Sequence, residues 1–156
     1  MRMKAQNGFT LIELLIVIGI MTILAVVAVN NYFAYRNKVN IEGEGDRAVE
    51  YFREAIARAR SQQDGVTWAI HIDNGASDYY ELLSGGATGT PVDRIYLSSG
   101  VTFTATTSSS TVTLIGGSTI APVASQINIG FITTDEALSE EIIVETNGKV
   151  TRTKSY

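Results

Sequence analysis

From Phe9 to Val29 the chain reads FTLIELLIVIGIMTILAVVAV, an apolar run interrupted by a single charge at Glu13, and no further charge appears until Arg36. At ~1.5 Å per residue, a helix over this stretch spans the ~30 Å hydrocarbon core of a bilayer. A secretory signal carries a shorter apolar core, of about 7–15 residues, and ends at small residues. This run is longer and leads into Asn30-Asn31-Tyr32-Phe33. A buried core helix would need a larger domain around it than the rest of the chain supplies. The pattern therefore predicts a membrane-spanning helix over 9–35.

The period then changes. Over Arg47–Gln63, Val49, Phe52, Ile56 and Ala59 fall on one stripe at three- and four-residue spacing, and Glu54 precedes Arg58 by four. Asp64-Gly65 reads as the helix end, with Gly65 as its C-cap. Gly43 and Gly45 interrupt the pattern at ~1 kcal/mol each relative to alanine, which makes 42–46 the expected bend or break. The segment 36–64 thus reads as an amphipathic continuation of the helix, its apolar stripe packing on a sheet.

Beyond 65 the period is two. In Val66–Asp73, Val66, Trp68, Ile70 and Ile72 alternate with polar residues and point inward. Asn74-Gly75 signals a hairpin into a strand at Tyr79–Leu83. Further strands are expected at 93–98, 101–106, 111–115, 126–132 and 141–146, the last returning through Asn147-Gly148 into Lys149–Thr153. Gly85-Gly86 and Gly116-Gly117 mark loops, and the Ser/Thr-rich 98–119 reads as a solvated β-face. The whole is an α+β chain, with 65–156 a globular β-rich head on a small antiparallel sheet.

Composition removes most chemistry. There is no cysteine and one histidine, so disulfides, thiolate zinc sites and multi-histidine metal sites are excluded. His71 falls on the outward face of its strand and offers a pH response at most. No glycine-x-serine-x-glycine elbow and no phosphate-binding glycine loop occurs, so an enzyme is not expected. No cofactor is expected either. Two acidic clusters are candidates for calcium, Asp73-Asn74-Gly75 with Asp78 and Asp135-Glu136 with Glu140-Glu141; neither matches an EF-hand, and both also read as solvated loops. The net charge of −4 argues against a surface built for phosphates.

Glu13 is the anomaly. A carboxylate within an apolar membrane helix costs about 2.5–3.5 kcal/mol and calls for a partner, unless it snorkels to the headgroups. Cleavage after Gly8 would place a new amino terminus on Phe9, four residues before Glu13 on the same helix face. Arg2 and Lys4 on one side balance Arg36 and Lys38 on the other. The exported character of the β-rich part therefore decides for an N-terminus inside.

The run Gly8-Phe9-Thr10-Leu11-Ile12-Glu13, continuing into LLIVIGIMTIL, resembles the class III signal of type IV prepilins and type II secretion pseudopilins. The resemblance implies a leader at 1–8, cleavage by prepilin peptidase between Gly8 and Phe9, and N-methylation of Phe9. It also implies pairing of Glu13 with the amino terminus of a neighbouring pilin or pseudopilin subunit. The expected course is a single-pass residence among inner-membrane lipids of a bacterium, then an extracellular or periplasmic filament. The implied fold is pilin-like, a long N-terminal helix packed on a small antiparallel sheet. Where many pilins place a helix-kinking proline, this chain has Asn30.

Within that family, AIARARSQQDGVTWAIHID and IIVETNGKVTR resemble the GspH/FimT type of minor pilins. Such pilins in competent bacteria bind DNA through basic C-terminal positions, matched in type by Lys149 and Arg152; with Lys154 these form a small basic tail. The alternatives are therefore a minor structural subunit, a DNA-capturing minor pilin or a major subunit. Three charges supply modest, salt-sensitive phosphate affinity, and a solvated strand is the plainer reading.

Overall fold

The computed structural model describes residues 9–116 and 123–156. The expected leader 1–8 with Gly8, and Gly117 of the second glycine pair, lie outside the described residues. The chain divides into two units, Met1–Arg36 and Asn37–Tyr156.

A single helix, α1 (Leu11–Arg60), contributes to both units. Within the first unit its side chains are exposed all round, from Leu11 to Tyr35. Within the second it buries Ile41, Glu44, Gly45, Ala48, Phe52, Ala55, Ile56 and Ala59, a stripe at helical spacing. The expected break at 42–46 does not occur. Gly43 and Gly45 stay helical because tertiary contacts made by this turn outweigh their propensity cost. The helix also ends earlier than Asp64-Gly65. Gln62 takes the left-handed conformation (φ 49°), and a 3₁₀ turn at Gln63–Gly65 follows. The Glu54–Arg58 pair forms as expected, at 2.5 Å.

Eight strands follow among the described residues: β1 (Trp68–Asp73), β2 (Tyr79–Ser84), β3 (Thr90–Tyr96), β4 (Val101–Phe103), β5 (Ser110–Leu114), β6 (Ile127–Thr133), β7 (Ser139–Val144) and β8 (Val150–Ser155). The expected single sheet is in fact two antiparallel four-stranded sheets, in the orders β3-β2-β1-β5 and β4-β6-β7-β8. Hairpins join β1 to β2 and β6 to β7 to β8, while β1–β5 and β4–β6 pair across longer separations. Pro91 sits on β3, an edge strand, the place in a sheet where proline is tolerated, and it pairs with Leu83 beside a bulge at Leu82/Leu83.

Trp68, Ile70 and Ile72 point inward as the alternation predicts; Val66 precedes the strand and is exposed. They meet the helix stripe and the inner face of the second sheet (Ile129, Phe131, Ile142) in one core. Phe52 and Tyr80 lie at its centre with ring centroids 5.6 Å apart, and Tyr51 closes on Tyr80 at 5.1 Å. The Ser/Thr-rich region is not uniformly solvated. Thr107 is buried, and its hydroxyl accepts the Gly130 N–H at 2.8 Å.

Candidate functional site

The N-terminal unit presents a chemical surface found nowhere else among the described residues. Its helix is long and apolar enough to cross a membrane, with a mean hydropathy of 2.9 over the best window and none of that window buried. Phe9, Leu11, Ile12 and Leu14 are each more than half exposed. Water does not tolerate a continuous apolar cylinder of this kind, so its natural surroundings are lipid or other apolar helices.

Thr10 starts the helix. Its hydroxyl accepts the Glu13 N–H at 3.3 Å and its carbonyl accepts the Leu14 N–H at 3.2 Å, which makes Thr10 the N-cap and Glu13 the third helical residue. Thr10-x-x-Glu13 is the capping-box spacing, a signal available in the sequence that the reading of Glu13 as an anomaly passed over. The carboxylate therefore lies in the first turn, where the helix dipole favours negative charge. It is exposed and has no ion-pair partner among the described residues. Phe9 stands just ahead of the cap, exposed.

The C-terminal cations are not gathered into a free basic patch. Arg152 is enclosed: its guanidinium donates to Glu140 at 2.7 and 2.8 Å and to the Glu42 carbonyl at 2.9 Å, and it also pairs with Asp46. Burial disfavours its charge, but the bonds and charges of Glu140 and Asp46 outweigh that and raise its pKa. Lys154 pairs with Glu42 at 3.1 Å, and Lys149 with Glu145 at 3.6 Å. The Tyr156 hydroxyl lies 2.5 Å from Glu140 and 3.1 Å from Glu42. These contacts fasten β8 to the helix turn at 42–46. The solvated strand expected at this end is thus in part a buried ionic clasp, and phosphate contact by Arg152 would require opening it.

The acidic clusters are likewise engaged internally. Asp78 accepts the Phe103 N–H at 3.1 Å. Asp135 accepts from the Thr133 hydroxyl, the Asn37 amide and the Ala137 N–H. Glu140 belongs to the clasp. Among the described residues no group of three or more acids and histidines is placed to hold a metal. His71 is half-buried, its Nδ1 2.8 Å from the Thr111 hydroxyl and its ring 6.0 Å from Tyr79.

Residues 3–29 match the prokaryotic N-terminal methylation motif. No curated protein and no solved structure matches the chain. The matched segment contains Gly8, Phe9, Thr10 and Glu13 and most of the exposed apolar helix. The chain therefore carries a prepilin-type methylation motif at its N-terminus, leading into a helix long and apolar enough to anchor it in a membrane.

Proposed function

We propose that this chain is a minor subunit of a type IV pilus or a type II secretion pseudopilus. Prepilin peptidase cuts it between Gly8 and Phe9 and methylates Phe9. The chain rests in the inner membrane with its β-rich part outside, then enters a filament whose core is built from helices like its own. The observation that carries this reading is the methylation motif overlapping the start of a helix that is apolar and exposed on every side from Leu11 to Tyr35. Glu13, exposed in the first helical turn with no ion-pair partner among the described residues, is available for the amino terminus of a neighbouring subunit. The similarity of AIARARSQQDGVTWAIHID and IIVETNGKVTR to the GspH/FimT type supports the minor assignment.

The test is Glu13→Leu in a host that assembles the filament. The variant is expected to be cleaved and methylated normally yet to stay in the membrane fraction, because its processing site is intact while its charge partner is gone. Wild-type levels of the variant in sheared filaments would overturn the role given to Glu13.

A further inference from the structure

Two loops, 74–78 and 97–100, flank a groove of about 440 Å³ that also takes in Val101 and Thr102. That volume falls in the ~300–1,000 Å³ range of small-molecule sites. Its one aromatic side chain is Tyr96, which is 53% exposed. Ser77, Ser99 and Thr102 also line it, and their hydroxyls make no hydrogen bond with any described residue. Asp78 contributes a carboxylate with one oxygen committed to the Phe103 N–H and the other without a hydrogen-bond partner among the described residues.

The loops are held from behind. Glu44, 1% exposed on α1, accepts the Ser98 N–H at 3.0 Å and the Ser98 hydroxyl at 2.9 Å. The Asn40 amide donates to the Ser99 carbonyl at 3.0 Å. Leu97 N–H reaches the Asp78 carbonyl at 3.1 Å and so ties one loop to the other, while Thr134 N–H bonds the Gly100 carbonyl at 3.0 Å. A buried carboxylate spent on positioning a surface loop gives the groove a fixed shape before any ligand arrives, which removes an ordering cost from binding.

The chemistry of the lining selects among ligands. No lysine, arginine or histidine lines the groove, and Arg94, which reaches the Tyr96 hydroxyl at 3.4 Å, is already paired with Glu81 at 2.7 Å, so a phosphate or carboxylate would find no free cation among the lining residues. Three uncommitted hydroxyls donate and accept, and a carboxylate oxygen accepts, as a polyhydroxylated ligand requires. An exposed tyrosine ring offers its electron-rich face to the C–H bonds on one side of a pyranose. We propose that this groove binds a neutral saccharide, with Tyr96 as its stacking surface and Asp78 as its principal acceptor. This site does not depend on the filament reading.

The experiment uses the full chain in zwitterionic micelles free of sugar headgroups, applied to an array of neutral and acidic oligosaccharides. The affinity of the best-retained glycan is then measured by calorimetry, with and without EDTA. A neutral oligosaccharide is expected to be retained regardless of EDTA. Tyr96→Phe should keep the affinity and Tyr96→Ala should weaken it about tenfold or more, equivalent to about 1.4 kcal/mol. Thr102→Trp, a substitution at an exposed position that fills the groove, should abolish binding, and it decides the matter if Tyr96→Ala fails to fold. Retention of no glycan, retention of acidic glycans alone, loss of binding in EDTA, or unchanged affinity in Thr102→Trp would each overturn the proposal.

Discussion

The Arg152 guanidinium of β8 lies directly over Gly45 of α1, so that a Cβ at position 45 would stand 2.6 Å from the guanidinium carbon and 2.7 Å from Nε. The side chain cannot retreat without breaking its bonds to the fully buried Glu140 carboxylate. Gly43, two residues earlier, meets nothing within 4 Å and is exposed. Two glycines that look alike in sequence should therefore respond oppositely. Gly45→Ala is expected to destabilise by about 1–3 kcal/mol through overpacking of the clasp. Gly43→Ala should stabilise by about 0.5–1 kcal/mol through helix propensity. Urea titration of both variants measures the difference, and equal effects would contradict the role assigned to Gly45.

Tyr80 is fully buried, and its hydroxyl has no hydrogen-bond partner among the described residues. An unpaired hydroxyl in the core costs desolvation without return, so Tyr80→Phe should be neutral or stabilising by up to about 1 kcal/mol. Phe52→Ala removes the ring that packs against it and should cost about 3–5 kcal/mol. Thermal melts of the two variants check both, and a marked loss in Tyr80→Phe would mean that the hydroxyl is satisfied in solution.

Stability should fall at both ends of the pH scale. The Lys154 ammonium bonded to Glu42 holds that carboxyl below its ordinary range, with Tyr156 helping. The Thr133 hydroxyl, with the Ala137 N–H and the Asn37 amide, does the same for Asp135. Carboxyls depressed in the folded state contribute stability above their unfolded values and lose it as pH falls through the folded ones. The melting temperature should therefore drop between pH 5 and pH 2. At the other end, burial raises Tyr51 and Tyr80 above the ordinary tyrosine value. The unfolded chain ionises first, and stability should decline as pH rises past about 10. A melting temperature constant from pH 7 down to 2 would contradict the acid arm.

Local patterns were legible where local forces decide. The apolar run from Phe9, the stripe through Phe52 and Ile56, and the alternation of Trp68, Ile70 and Ile72 each announce their element, because burial on one face imposes a period on the residues. The division into two sheets was not legible, since the pairing of Val101 with Thr133 joins residues far apart in sequence and no period records it. Gly45 was misread for a related reason: propensity treats it as a weakness in the helix, whereas the fold uses its missing side chain to admit Arg152. Arg152 itself looked like part of a solvated tail because nothing in TRTKS reveals that the helix turn at 42–46 faces it. At the candidate site, the Thr10-x-x-Glu13 cap was present in the sequence, and the exposure of Glu13 agrees with its place in the first turn.

The most direct test of the central claim is quantitative mass spectrometry of filaments sheared from the native host, including the N-terminal peptide. The account predicts a peptide that begins at N-methylated Phe9, present in small amounts beside a more abundant subunit. An intact Met1 terminus, with the protein confined to the membrane and absent from the filaments, would contradict it.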